Sequence, residues 1–432
     1  MRHILKKYWL LSQYSNHQVP ARCLCTKPAA KDVTHVLGKD YPVDSWTNIT
    51  PSIIGKLGTN LHTKKHHPLG LIKLQIQNYF YKNYLKRSGN PIFSVYDSIS
   101  PVVTLEQNYD NLLVPKDHPS RKPSDCYYIN SNYLLRAHTT AHQRDLISSG
   151  LDSFLIAGDV YRRDTIDSTH YPAFHQIDGV RLFSKHELFP NEEDHSSLHL
   201  FENGSETSLK QGEHTLEAAL VVANQLKNDL QNLAKSLFGQ DIEYRWIEEY
   251  FPFTHPSWEL EIMYEGKWME VLGCGVIRQE ILQKAGAVDK IGWAFGMGLE
   301  RLAMKLYNIP DIRLFWSSDQ RFLNQFIVDD PSTKITFKPF SKHPEVINDI
   351  SFWIPSDYEE NNFYDLVRSI GGDLIENVEL VDKFENKKKG KTSHCYRLRY
   401  RHMEKALTQE EVNAVHAKIE QDVQSILGVE VR

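Results

Sequence analysis

The stretch from Phe154 to Phe183, FLIAGDVYRRDTIDSTHYPAFHQIDGVRLF, leaves few folds open. An apolar run, Phe154 to Tyr161, breaks into Arg162-Arg163-Asp164. A polar tip, Thr165 to Pro172, carries Asp167, Ser168 and His170, and then Phe174 to Phe183 alternates again. This pattern predicts an antiparallel hairpin with a long loop. Residues two apart on a strand share a face, which predicts Arg162 beside Asp164, and Phe174, Gln176 and Asp178 together on the returning strand. Buried sheet faces are normally apolar, whereas this one gathers a cation, an aromatic ring, an amide and carboxylates. Such a surface suits a ligand with an anion, a planar ring and an ammonium group, and ATP plus an amino acid fits that description. A salt-bridged, solvated hairpin face would use the same residues.

A chain of 432 residues allows roughly two to three domains. Its net charge of −5 argues against holding nucleic acid by bulk charge, so any such contact requires a local patch. The five cysteines form no CxxC pair, so neither a disulfide framework nor a zinc site is indicated and a reducing compartment is expected. No apolar run approaches a membrane span, and no membrane partner is expected. Residues 1–31 carry Arg2, Lys6, Lys7, Arg22, Lys27 and Lys31 with no acid before Asp32. That composition reads as an organelle transit peptide, or alternatively as a disordered basic tail.

Along the chain, Pro68 to Lys86 has the spacing of an amphipathic helix, with Pro68 at its start and Gly89 as its stop. His62, His66 and His67 sit in a Lys-rich loop and read as solvated. Thr139, Thr140 and Gln143 open a helical segment and read as its cap. Glu187 to Gly212, rich in acid, Asn, Ser and His, reads as a surface excursion. Thr215 to Phe238 returns to helical spacing through Leu216, Leu220, Val221, Leu226, Leu230 and Leu233, and Gly239 ends it. Two phenylalanines flank a proline at Phe251-Pro252-Phe253 and make a rigid apolar edge. Lys267 to Ile277 alternates into Gly273-Cys274-Gly275, and glycines inside a strand mark close approach of another group. Ile291 to Phe295 runs into Gly296-Met-Gly-Leu-Glu-Arg301: a strand, a tight glycine turn and a helix bearing Arg301. The third glycine of a dinucleotide fingerprint and the Lys-Ser/Thr of a phosphate loop are both missing, so neither site is predicted. From about Thr336, Phe337, Phe340, Ile350–Ile354 and Val378–Val381 read as strands, and Tyr364–Ile370 and Glu410–Leu427 as helices. Lys387, Lys388, Lys389 and Lys391 precede Tyr396-Arg-Leu-Arg-Tyr-Arg401, a basic hairpin interleaved with aromatics. That suits an RNA surface, and a solvated lysine loop would look the same.

Together these runs resemble the phenylalanyl-tRNA synthetases, specifically the single-chain mitochondrial type. The class II motifs occur in order: helix, strand and Pro101; Val160-Tyr-Arg162-Arg-Asp164 with Phe174-His-Gln-Ile-Asp-Gly179; and Gly296 to Arg301. FHQIDG, YFPFTHPS, and EVLGCG followed by WAFGMGLER are the specific signals. The resemblance implies an α+β chain: a class II antiparallel sheet flanked by helices at 36–335, with the insertion at about 187–212, then a ferredoxin-like anticodon-binding domain of order β-α-β-β-α-β at 336–432. It implies a mitochondrial matrix enzyme that uses ATP and Mg²⁺ to charge tRNA(Phe) with L-phenylalanine, as a monomer.

By the same resemblance Arg162 grips the α-phosphate and Arg301 the γ-phosphate, and these two are the catalytic residues. Phe174 stacks on adenine, with Asp164, Thr169, His170 and Tyr171 lining the nucleotide site. Glu270 is a ligand of nucleotide or metal. Gln176 and Asp178 take the substrate's amino group, beside Ile177, His138, Thr140, Ala141, His142 and Gln143. Phe251 and Phe253 clamp the phenylalanine ring edge-on, with Ala294 beneath its para carbon and Phe295 next to it. Lys387, Lys388, Lys389, Lys391, Arg397, Arg399 and Arg401 contact tRNA. The chain has His255 where bacterial relatives carry a glutamate, and Thr140 where serine is common. Two other readings compete: an adenylate-forming ligase without tRNA, and a regulatory subunit that has lost its chemistry. The second is disfavoured because both motif arginines are present.

Overall fold

The computed structural model describes residues 33–190, 198–339, 343–387, 390–403 and 405–432. The basic segment at 1–31, Phe340, Lys388 and Lys389 fall outside these. Labels below cover the strands of the two larger sheets and the helices of eight residues or more. The first sheet has seven strands: β1 (Ser94–Tyr96), β2 (Ser153–Tyr161), β3 (Ala173–Phe183), β4 (Tyr244–Glu248), β5 (Thr254–Tyr264), β6 (Lys267–Ile277) and β7 (Ile291–Gly298). Their order across the sheet is β1-β2-β3-β7-β6-β5-β4, with β1 parallel to β2 and the other pairs antiparallel.

Helices α1 (Pro68–Asn83), α2 (Leu216–Phe238) and α3 (Leu299–Leu306) cover one face of this sheet. Ile72, Ile76, Phe80, Leu226, Leu230 and Leu302 bury there against Ile177, Trp293 and Phe295. α1 begins at Pro68 as its sequence requires, but it ends at Asn83, and Gly89 (φ +82°) serves a later turn. His67 caps α1, its Nδ1 accepting from the Leu69 amide, and its Nε2 meets the Phe315 carbonyl at 2.9 Å. His62 Nε2 likewise meets the Asp97 carbonyl at 2.9 Å. Both rings are buried, not solvated as their Lys-rich loop suggested. Burial pushes them down to about 4 for His62 and about 3 for His67, so both are neutral members of the core.

In α2 the cap Thr215 and the terminal Gly239 (φ +109°) stand where expected, but the buried face is different. Ala218, Ala219, Val222 and Ala223 fill the first turns, while Leu216 and Leu220 are exposed. Small residues let the helix approach the sheet closely there, a requirement that apolar spacing alone does not register. Gly179 on β3 is a second close approach: a Cβ there would collide with the Phe295 ring. That ring is itself stacked on Phe80 at 5.5 Å and 9°. Gly179→Ala is therefore expected to destabilise the fold by about 1–3 kcal/mol, the usual range for overpacking. Thermal unfolding checks this, and an unchanged midpoint contradicts it.

The second sheet has strands β8 (Val346–Ile354), β9 (Ile375–Asn386), β10 (Lys391–Tyr400) and β11 (Glu430–Val431) in the order β9-β10-β8-β11. Helices α4 (Glu360–Gly371) and α5 (Gln409–Leu427) complete a β-α-β-β-α-β chain order. Phe363, Val367, Ile419 and Val423 pack on Phe352, Tyr396, Leu398 and Tyr400 as a separate core. Phe337 is not a strand of this unit. It is buried in the first core, with its amide donating to the Tyr307 carbonyl at 2.7 Å. Ile166, from the loop between β2 and β3, instead buries in the second core. Arg163 on the same loop pairs with Asp365 at 2.9 Å.

Candidate active site

β2 and β3 pair in the register Val160↔Phe174, Gly158↔Gln176 and Ile156↔Asp178. β7 adds Gly298↔Gln176, Gly296↔Asp178 and Ala294↔Val180, and β6 adds Gly273↔Gly296 and Gly275↔Ala294. Residues directly opposite on an antiparallel pair share a face. Phe174, Gln176 and Asp178 therefore stand over a floor of glycine and alanine drawn from several strands. Helices cover the other face, while this one forms a trough. The glycines of β7 do not make the expected tight turn, since neither Gly296 nor Gly298 has a positive φ. Their work is to remove side chains: a Cβ at Gly296 would lie 2.8 Å from Asp178 Oδ1, and one at Gly298 would enter open space. From Phe174 to Val180 the trough changes from aromatic to amide to carboxylate to apolar over about 20 Å.

At the polar centre, Asp178 is buried and accepts from Thr140 Oγ1 at 2.6 Å. Burial pushes its carboxyl up to about 6, against the lowering effect of that hydrogen bond. Gln176 Oε1 is buried beside it with no hydrogen-bond partner among the described residues, and the same holds for Gln143 Nε2. Buried amides are ordinarily satisfied, so these two atoms are open to a ligand's donor and acceptor. Thr139–His142 is a 3₁₀ turn without a side-chain cap, so Thr140 orients Asp178 and does not cap a helix.

At the aromatic end, where Phe174 stands, β2 stops at Tyr161, so Arg162 and Asp164 lie in the loop and strand alternation does not pair them. Arg162 Nε donates to the Ala137 carbonyl at 2.7 Å, which leaves its guanidinium 5.2 Å from the Phe174 ring centre. Asp164 Oδ1 accepts from the Thr165 amide at 2.8 Å and shapes the loop. Asp167 organises the tip, taking the Thr169 amide and hydroxyl at 2.7 and 2.8 Å and His170 Nδ1 at 2.6 Å. Burial works to raise Asp167, but these hydrogen bonds outweigh it and hold the carboxyl well below the usual range. The Asp167 bond in turn raises the His170 imidazole above its ordinary value. Arg301, in the first turn of α3, pairs with Glu270 at 3.0 Å across the trough's rim. No group of three or more metal-ligating side chains exists among the described residues, and the Glu270 carboxylate already pairs with Arg301.

At the apolar end, the Phe251 and Phe253 rings lie 5.8 Å apart and nearly parallel, at 13°. Gly273 makes room for Phe251, since a Cβ there would sit 2.9 Å from its Cζ. Ala294 is buried beside Val180, Ile156 and Phe253.

Five expected site residues are turned elsewhere. Phe295 and Ile177 alternate to the opposite face and bury beneath the helices. Ala141 belongs to a small cluster with Val103, Tyr109 and Cys126. The His142 ring faces Arg136, with Nε2 2.9 Å from Nη1. Tyr171 is buried, its hydroxyl donating to Asp373 at 2.7 Å and its ring stacked on Trp316 at 5.6 Å. His138 is half-buried at the start of the 3₁₀ turn.

Two supports escaped sequence reading. Arg136 fills the space over Gly158, donating to Asp159 Oδ1 at 2.8 Å and to its carbonyl at 2.7 Å. A glycine inside an otherwise bulky strand was the available signal. Glu300 takes both the His175 amide at 2.8 Å and its Nδ1 at 2.7 Å, which ties α3 to the strand bearing Phe174 and Gln176.

On the second sheet, alternation along β10 sends Tyr396 and Tyr400 into the core, so they do not interleave with the arginines on an RNA surface. Arg397 makes a two-armed pair with Asp349 at 2.9 Å, Arg399 meets Glu345 at 3.1 Å, and Arg401 meets Glu376 at 2.8 Å. Lys391 pairs with Glu430 at 2.6 Å, and Lys387 is exposed in the turn. The arginine row is thus matched by acids. The aromatics with outward exposure are Phe384 and the half-buried Trp353, with Arg432 over both rings at 5.3 and 5.5 Å.

Residues 56–191 and 180–326 match the family model for the tRNA synthetases class II core domain (F), and 341–432 match the ferredoxin-fold anticodon binding domain. The chain is 56% identical over 421 residues to the mitochondrial phenylalanine–tRNA ligase of Mus musculus, covering 95% of this chain and 93% of that one. It is 50% identical to the probable mitochondrial phenylalanine–tRNA ligase of Drosophila melanogaster, with 99% and 98% covered. Against the mitochondrial phenylalanine–tRNA ligase of Saccharomyces cerevisiae the identity is 38%, with 91% and 94% covered.

Proposed function

Because the chain belongs to the class II tRNA synthetases, and within them to the phenylalanine–tRNA ligases of mitochondrial type, we propose that its trough activates phenylalanine with ATP and that its second sheet engages tRNA(Phe). It is a ligase that joins phenylalanine to tRNA(Phe) in mitochondrial protein synthesis, with ATP as co-substrate. The observation that carries the site reading is Gln176 Oε1, buried without a partner among the described residues beside the Asp178 carboxylate over a floor of glycines. An ammonium supplies what both groups lack, a donor and a positive charge.

With the amino group held there, the phenylalanine ring extends toward Ala294, Phe251 and Phe253. The carboxylate then faces the nucleotide end. Phe174 stacks on adenine and Arg162, beside that ring, holds the α-phosphate. Arg301 at the rim holds the γ-phosphate, with His170 on the loop between. An oxygen of the amino acid attacks the α-phosphorus in line, the bond to the bridging oxygen breaks, and pyrophosphate leaves. Positioning and charge stabilisation carry this step, since no covalent help from the protein is required. A terminal ribose hydroxyl of tRNA then attacks the acyl carbon, AMP departs, and an ester remains. Mg²⁺ belongs, in this reading, to the magnesium–nucleotide substrate, where it neutralises phosphate charge.

We assign 36–337 to the catalytic unit, on the packing of Phe337, and 338–432 to the anticodon-binding unit. We further propose that the chain works as a monomer in the mitochondrial matrix, after loss of the basic segment at 1–31. The test is charging of tRNA(Phe) with labelled phenylalanine. Phenylalanine-dependent charging is expected, and its absence from a folded, nucleotide-binding protein overturns the reading. The floor has its own check. Ala294→Gly is expected to admit para-chlorophenylalanine in ATP–pyrophosphate exchange while phenylalanine stays active. Unchanged use of the analogue removes Ala294 from the floor.

A further inference from the structure

The segment from Glu202 to Leu209 is exposed, as its polar composition predicts, but the chain then turns inward and buries Lys210, Gln211 and His214. Gln211 is 2% exposed, and its amide group is spent on the start of β5, just after the aromatic clamp, and on the end of β6 and the residues that follow it. Nε2 donates to the His255 carbonyl at 2.8 Å and to the Ile277 carbonyl at 2.9 Å. Oε1 accepts from the Gln279 amide at 2.8 Å. His255 lies two residues beyond Phe253, and Ile277 pairs with Thr254 across the sheet. One side chain therefore fastens the start of β5 to the end of β6 at the point where Phe251-Pro252-Phe253 turns into the trough.

Neighbouring contacts close the same joint. The Arg278 amide donates to the Phe253 carbonyl at 3.0 Å. His255 Nε2 lies 2.7 Å from the Thr207 carbonyl, and Glu206 pairs with Arg278. His214 Nε2 lies 3.0 Å from Gln279 Oε1, behind Gln211. His255 thus faces this segment.

We infer that Gln211 is a positioning residue for amino-acid recognition: it fixes the Phe251–Phe253 turn against β6 and so sets the width of the phenylalanine site. The inference rests on the clamp assigned above. Strands β5 and β6 are paired along their length without Gln211, so the sheet has its own support. What Gln211 adds is local. It satisfies two carbonyls at the register shift between Gly275 and Ile277, where the ladder is irregular.

Exchange kinetics of the full chain test this with Gln211→Ala, Gln211→Glu and, as the reference for the clamp, Phe253→Ala. Gln211→Glu keeps the side-chain length and the acceptor for Gln279 while losing the donor to both carbonyls, so it answers the question even if Gln211→Ala does not fold. The Gln211 variants are expected to raise the KM for phenylalanine about tenfold, as a sub-ångström loosening of a binding group does. They should also narrow the preference for phenylalanine over tyrosine while the KM for ATP stays put. A fall in kcat with both KM values and the tyrosine preference unchanged means that Gln211 supports only the fold, which overturns the inference. If Phe253→Ala raises the phenylalanine KM and neither Gln211 variant does, the clamp stands and the brace is wrong. If Phe253→Ala itself leaves KM and tyrosine discrimination unchanged, the clamp assignment falls and the inference falls with it.

Discussion

Arg301→Ala and Arg162→Ala are each expected to lose about 2–4 kcal/mol of transition-state stabilisation, the usual consequence of removing one preorganised donor from developing charge. The two arginines are held differently, and the difference should be visible. Arg162 is fixed by its Nε bond to the Ala137 carbonyl and lies against Phe174. Its loss strips the ring of a neighbour, so ATP binding should weaken along with kcat. Arg301 is half-exposed and held by Glu270 alone among the contacts described. In Arg301→Ala the Glu270 carboxylate remains at the rim facing the triphosphate, so kcat should fall and added salt should relieve part of the deficit. Rapid-quench measurement of adenylate formation checks both. Wild-type rates in a folded variant remove that arginine from the mechanism.

Asp178→Asn should cost about 1.5–3 kcal/mol in kcat/KM for phenylalanine, the worth of a hydrogen bond to a charged group. The amide retains the shape and the contact with Thr140 but not the charge that an ammonium requires. A pH profile distinguishes this from general damage. With the carboxyl pushed up to about 6, ionised Asp178 is the binding form above that pH and is lost as the pH falls through it. Wild-type kcat/KM for phenylalanine should therefore decline below about pH 6, and the inflection should vanish in Asp178→Asn. Persistence of the same inflection in the variant assigns it to another group.

The polar row Phe174–Gln176–Asp178 was legible from sequence because a strand's period of two leaves no choice about which residues are neighbours. What faces that row was not. Gly273 stood out as a glycine in a strand and Gly296 and Gly298 as a turn after one, but their alignment with Asp178 and Gln176 depends on register between segments far apart in the chain. Period two also fails to say which face is inward. Phe295 and Ile177 were grouped with the ligand by resemblance, although period two already sets Ile177 opposite Gln176 and Asp178, and Tyr396 and Tyr400 were set beside arginines that the same period places on the other face. Arg162 and Asp164 mark the opposite limit, since they lie one and three positions beyond Tyr161, the strand's last residue, where the strand rule no longer holds. Gln211 had no local signal at all. Its partners are His255, Ile277 and Gln279, and only the folded chain brings them to one amide.

The central claim, that one trough takes ATP at Phe174 and phenylalanine at Asp178 and the Phe251–Phe253 turn, is tested most directly by ATP–pyrophosphate exchange against each of the standard amino acids in turn. The account predicts strong exchange with phenylalanine and weak exchange with tyrosine, lower by about a hundredfold, because an apolar site rejects an added hydroxyl only to that extent. Strong exchange with a different amino acid, and none with phenylalanine, contradicts it.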